Sequence, residues 1–155
     1  SYDQAMHLAQ VNIGRLTAPL GSAQLHGFTS RLDEINALAD RTPGFVWRLQ
    51  GDGDSATDLR PFEDDSILVN MSVWEGLEPL RDYVYRSDHL QLLRERRQYF
   101  QHMTEAFTAL WWIPVGHIPT TTEAWERLVH LRAHGPTAQA FTFGKAFPAP
   151  EPTPH

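Results

Sequence analysis

The chain has 155 residues, a formal net charge of −6 and no cysteine. That length suits one domain with its own apolar core. The missing cysteines exclude disulfides, thiolate metal sites and cysteine nucleophiles, as a reducing cytoplasm would favour. Asp52, Asp54, Asp58, Glu63, Asp64 and Asp65 concentrate negative charge in one segment, relieved there only by Arg60. Nucleic acid binding needs a basic face; only Arg86 to Arg97 is locally basic, and no nucleic-acid motif accompanies it. No apolar run approaches the ~18–20 residues of a membrane span, and no basic-then-apolar leader is read at the N-terminus. The expected location is the cytoplasm.

Met6 to Ile13 is apolar with β-branched residues and reads as a first strand. A turn follows at 18–22. Ser22 is placed to cap a helix reaching about Asp40, with Leu25, Phe28, Leu32, Ile35 and Leu38 as its inner stripe. Pro43-Gly44 closes that unit, Phe45 to Gln50 reads as the second strand, and the acidic segment reads as a solvated loop. Ser66 to Trp74 alternates as a third strand. Ile67, Val69, Met71 and Val73 take one face, and Leu68, Asn70, Ser72 and Trp74 the other. A helical region runs from Leu77 to about His102, with a possible break and new cap at Ser87. Phe107 to Val115 reads as the fourth strand. Thr120-x-x-Glu123 is a capping box that opens a further helix, which Gly135-Pro136 ends. Residues 1–147 are expected to form one domain, with 148–155 a proline-rich tail.

The order β-α-β-β-α-β plus one helix is the ferredoxin-like, split βαβ arrangement of an α+β domain. Such a sheet carries helices on one face, so its other face must be covered. Pairing of two copies through that face predicts a homodimer.

Four groups of residues can carry chemistry. Asn70 and Ser72, with Trp74, put polar groups on a strand face that a core would make apolar; they either line a polar pocket or face solvent or a dimer partner. If Tyr85 to Phe100 is one helix, Tyr85, His89, Leu92, Arg96 and Phe100 fall within about 80° of each other at ~100° per residue. His89 can then serve as a general acid or base and Arg96 can hold an anion; the structural alternative is a hydrogen-bonded His89 and a snorkelling Arg96. Of Trp111 and Trp112, one ring must face the helices and the other the opposite side. Asn12 lies on a mixed face of the first strand, and His117 stands where the fourth strand ends. For metals, only His130 and His134 are suitably spaced, and two ligands on one helix make a weak site, so no metal is expected. No Gly-x-Gly-x-x-Gly, P-loop or Gly-x-Ser-x-Gly pattern occurs.

Several stretches carry a family resemblance: His7-Leu-Ala-Gln-Val-Asn12, Gly44-Phe-Val-Trp-Arg48, Val69-Asn-Met-Ser-Val-Trp-Glu75, Val84-Tyr-Arg-Ser-Asp-His89, Trp111-Trp-Ile-Pro-Val-Gly-His117 and Leu131-Arg-Ala-His-Gly-Pro136. Over nearly the whole chain, to about Phe147, it resembles the bacterial family known as domain of unknown function 3291. The resemblance implies the dimeric α+β barrel superfamily and carries no established activity. Within that superfamily, the cofactor-free antibiotic biosynthesis monooxygenases are similar in an asparagine and a tryptophan four apart ending the third strand, here Asn70 and Trp74. Tyr85 and Arg96 would fill the roles of a tyrosine and an arginine on the following helix. Haem-degrading members use an asparagine, a tryptophan and an axial histidine, a set that Asn12, Trp74 and His89 resemble at a wider spacing.

The leading expectation is a binder or enzyme of a small, flat, aromatic or polyketide-like molecule, acting without a cofactor. Asn70, Trp74, Tyr85 and His89 would be catalytic; Asn12, Arg96, Trp111, Trp112 and His117 would bind substrate. In the most concrete form, His89 removes a phenolic proton, Asn70 and Arg96 stabilise the anion, and the activated substrate reduces oxygen. One alternative is haem binding with His89 as axial ligand; the other is a non-enzymatic dimeric scaffold or ligand sensor.

Overall fold

A computed structural model describes residues 6–18, 22–49, 67–85 and 107–150, apart from the side chains of 28–33. Four strands, β1 (Met6–Arg15), β2 (Phe45–Arg48), β3 (Ile67–Trp74) and β4 (Thr108–Pro114), form one antiparallel sheet in the order β2-β3-β1-β4. Among the described residues the helices are α1 (His26–Arg41), α2 (Leu77–Val84) and α3 (Thr121–His134). Helix α1 connects β1 to β2 and α2 follows β3, which makes this the expected ferredoxin-like α+β fold with an added C-terminal helix.

Local chemistry explains most of the boundaries. Thr120 Oγ1 accepts the Glu123 backbone N–H at 3.0 Å, so it caps α3 as its sequence pattern requires. Gly135, at φ 73°, ends that helix and returns its N–H to Leu131 O. The start of α1 differs from expectation. Ser22 makes no side-chain cap bond; a single 3₁₀ turn, Ala23–Leu25, intervenes and Leu25 becomes the residue before the helix. Leu25 is fully buried, and the tighter turn brings it into the core ahead of the first α-helical turn. Ile35 and Leu38 lie inward as read, and Phe28 and Leu32 belong to the residues whose side chains are not described.

The period of two along each strand sorts the sheet into two cores. Ala9, Val11, Ile13, Met71, Val73, Ala109, Trp111 and Ile113 form one, closed by Ala124, Leu128 and Leu131 of α3. Leu8, Trp74 and Leu110 form the other, closed by Ile35 and Ala39 of α1, Leu80 and Tyr83 of α2, and Phe141 from the C-terminal arm. The arm also bonds the outer edge of β4, through Leu110 N–H to Phe141 O and Phe141 N–H to Leu110 O, both 2.9 Å.

This arrangement corrects the picture of a sheet with helices on one face only. Helix α3 packs on the β4 and β1 side of the second face, and Ala9, Val11, Met71 and Val73 are at most 1% exposed within one chain. On the β4 and β1 side, the apolar pattern is therefore satisfied by the chain's own last helix.

Candidate functional site

On the face beneath α1 and α2, register stacks side chains in rows across the sheet. The first row is Phe45, Trp74, Leu8 and Trp112; the second is Arg48, Ser72, Gln10 and Leu110; the third is Asn70, Asn12 and Thr108. Polarity thus rises along the strands, from an aromatic row to a row of two amides.

The first two rows are tied together by hydrogen bonds. Trp74 is fully buried between Phe45, with ring centroids 5.3 Å apart and edge-on, and Tyr83, stacked at 5.0 Å. Its indole N–H donates to Ser72 Oγ at 2.8 Å. Gln10 Nε2 donates to the same oxygen at 2.8 Å and to Asn70 Oδ1 at 2.7 Å. Buried polar groups need such partners, since leaving one bare costs about 1–3 kcal/mol. Asn70 is exposed and Asn12, facing it across β1 and β3, is half-buried. Among the described residues neither the Asn70 amide nitrogen nor the Asn12 carboxamide has a side-chain partner. Among the described residues, these two amides and the Thr108 hydroxyl in the same row have side-chain hydrogen-bonding capacity to spare.

Tyr83 and Arg48 border the network. Burial pushes the Tyr83 phenol up to about 12, against a lowering by Arg48 and a further rise from Asp40. Arg48 is held by Asp40 of α1, Nε to Oδ1 at 2.9 Å and Nη2 to Oδ2 at 3.3 Å.

The remaining expected site residues that are described lie apart from this network. Tyr85 caps the end of α2 and is 60% exposed. His89 and Arg96 lie outside the described residues. Trp112 is the ring on the side of α1 and α2, where its indole N–H donates to Phe147 O at 2.9 Å. Trp111 faces α3, fully buried, and donates to Glu123 Oε2 at 2.8 Å. The other oxygen of that carboxylate meets His117 Nε2 at 2.7 Å. Glu123, read from sequence as half of a capping box, is thus turned to Trp111 and His117. His117 braces the turn between β4 and α3, on the opposite side of the sheet from the amides.

Beside it, Glu123, Glu126, Arg127, His130 and Gln139 line a shallow cleft of about 240 Å³. Its cation and imidazole are occupied: Arg127 Nη1 donates to Gln139 O at 2.8 Å, and His130 Nε2 lies 3.0 Å from Thr137 Oγ1. His130 and His134 do come together, with ring centroids 4.5 Å apart. Among the described residues, no third histidine or carboxylate joins such a pair to hold a metal.

Gln10 is the residue of this network that the sequence understated. It is the hub of the network, yet its meaning depends on which residue stands opposite, and only the register Gln10↔Ser72 supplies that.

Residues 7–155 match the family described as Domain of unknown function (DUF3291). No curated protein matches the chain. Among solved structures, a conserved protein from Methanosarcina mazei Go1 is similar at 11% identity and a TM-score of 0.50, covering 70% of this chain and 93% of that one. SnoaB, a cofactor-independent oxygenase from Streptomyces nogalater, is similar at 21% identity and a TM-score of 0.47, covering 74% and 97%. At 11% identity the likeness to the Methanosarcina mazei protein concerns the fold alone.

Proposed function

The chain belongs to the family described as Domain of unknown function (DUF3291), and on that premise we propose that it binds a small, flat, hydroxylated aromatic molecule against the amide end of its sheet. The observation that carries this reading is the pair Asn12 and Asn70. They are paired in register where Asn70 is exposed and Asn12 half-buried, and the described residues leave them hydrogen-bonding capacity to spare. The proposed ligand lays a flat ring beside this row, where the amides meet its oxygens.

The chemistry proposed for this site is oxygenation without a cofactor. His89 acts as the base that takes the phenolic proton, and Arg96 joins the amides in holding the resulting oxyanion. The electron-rich ring then reduces dioxygen. A phenol with a free para C–H plus O₂ gives a para-quinone plus water: one oxygen atom forms the new carbonyl, the other leaves as water, and the substrate supplies all four electrons. Trp74 contributes by packing and by anchoring Ser72. The protein is further read as a homodimer, supported by the half-buried Trp47, Leu49, Ile67 and Val69 at the margin of the α3-covered core.

Oxygen uptake with para-unsubstituted phenols and naphthols, alongside native mass spectrometry of the purified protein, tests the reading. Expected are one small molecule per subunit and an oxygen uptake that falls at least about tenfold in Asn70→Ala and in His89→Ala, the size of one lost oxyanion contact or one lost base. A bound haem, or uptake unchanged in Asn70→Ala, overturns it.

A further inference from the structure

We propose that Gln10 is a positioning residue that sets which way the Asn70 carboxamide faces, so that the site selects a ligand oxygen that accepts hydrogen bonds, such as a phenolate or a quinone carbonyl. The inference rests on the reading of the amide end as the binding site and specifies its ligand. Gln10 sits mid-strand in β1 and is 9% exposed. A primary amide has two N–H groups, and Gln10 uses both within its own sheet, on Asn70 Oδ1 at 2.7 Å and Ser72 Oγ at 2.8 Å. The far end of the chain of bonds is anchored by Trp74, whose indole can only donate and does so to Ser72 Oγ at 2.8 Å.

Asn70 Oδ1 is therefore turned toward Gln10. Because a carboxamide is planar, its nitrogen points the other way, and Asn70 is exposed. Two N–H donors are thus presented at this exposed position, beside the Asn12 carboxamide in the paired position on β1. The Asn70 N–H groups match an accepting oxygen on the ligand, and most strongly a phenolate or carbonyl oxygen that carries no proton of its own. Gln10 touches no ligand itself. Replacing it by glutamate would leave only acceptors at that place, so Asn70 and Ser72 would turn to donate to it and Asn70 would show its carbonyl outward.

Two measurements test the proposal. In the ¹⁵N-labelled wild-type protein, the Gln10 side-chain NH₂ should exchange with solvent about tenfold more slowly than that of Asn70; the reverse order overturns the assignment without any ligand or variant. In binding titrations, 4-nitrophenolate should be held about tenfold more tightly than 4-nitroanisole, the scale of one charge-assisted bond. Gln10→Glu should abolish that preference while the protein stays folded, and Gln10→Met, which only releases Asn70, should weaken it. If Asn70→Ala binds 4-nitrophenolate as wild type does, or neither probe binds, the site reading itself fails. If Asn70→Ala loses the preference but Gln10→Glu keeps it, the site stands and the role of Gln10 falls.

Discussion

Single side chains show how this core handles polar atoms. Tyr83 is packed on Trp74 and its hydroxyl lies 3.4 Å from Ile35 O, a long contact that leaves burial to dominate. A phenol whose folded value is about 12 against 10.0 in the ordinary state ionises more easily once unfolded. Its contribution to stability is full below pH 10 and is lost as pH rises from 10 to about 12, for a total of roughly 2–3 kcal/mol. Denaturant midpoints should fall across that window in the wild-type protein and fall much less in Tyr83→Phe; equal slopes would contradict the assignment. The tryptophans follow the same rule. Trp74, Trp111 and Trp112 each spend the indole N–H on a protein oxygen, Ser72 Oγ, Glu123 Oε2 and Phe147 O respectively. Their sequence positions announced large buried rings. The acceptors were not legible, since two of the three lie 12 or 35 residues away in sequence and the choice depends on packing.

At the scale of elements, the join between β2 and α2 is the most tightly specified point. Gly44 has φ 90°, and its carbonyl accepts the Glu75 N–H at 2.7 Å. A methyl group there would overlap Cβ and Cγ of Pro79 in the first turn of α2. Both the backbone conformation and the space demand glycine. Gly44→Ala should cost about 2–4 kcal/mol, combining strain at a left-handed position with overpacking, and thermal or chemical denaturation measures it. A loss below 1 kcal/mol would mean that Pro79 yields easily. Pro43-Gly44 was readable as a stop signal, whereas the contact with Pro79 was not, because it joins elements separated by the whole of β3. The strands were legible from alternation, and their observed limits fall within two residues of the pattern. The stripe read through Tyr85, His89, Leu92, Arg96 and Phe100 begins just past the end of α2 at Val84, and all of it but Tyr85 lies outside the described residues.

For the whole molecule, the C-terminal arm is part of the core. Phe141 is fully buried and lies 6.4 Å from Trp112 and 5.9 Å from Phe147 by ring centroids. A chain ending at Thr142 would lose Phe143 and Phe147 and strand the Trp112 N–H. It should be less stable by about 2–5 kcal/mol, from lost aromatic burial and one unpaired donor, and should bind a hydrophobic dye. Unchanged stability would show that the arm merely lies on the surface. Sedimentation of the full chain checks the homodimer. Because α3 already covers the β4 and β1 side of the second face, a dimer would have to use the margin near β2 and β3 instead of the whole sheet.

The sequence by itself determined the elements and the class of fold. Strand alternation, capping residues and the βαββαβ order are local signals, and few antiparallel arrangements accommodate that order. It also marked Asn70, Ser72 and Trp74 as polar groups out of place on a strand. Tertiary structure alone decided that Gln10 stands opposite Ser72, that Asn12 meets Asn70, that Glu123 serves Trp111 and His117, and that α3 packs on the β4 and β1 side of the second face. Each of these is a contact between distant parts of the chain. Such contacts follow from register and packing, where shifting a strand by one residue would send every one of these side chains to the other side of the sheet.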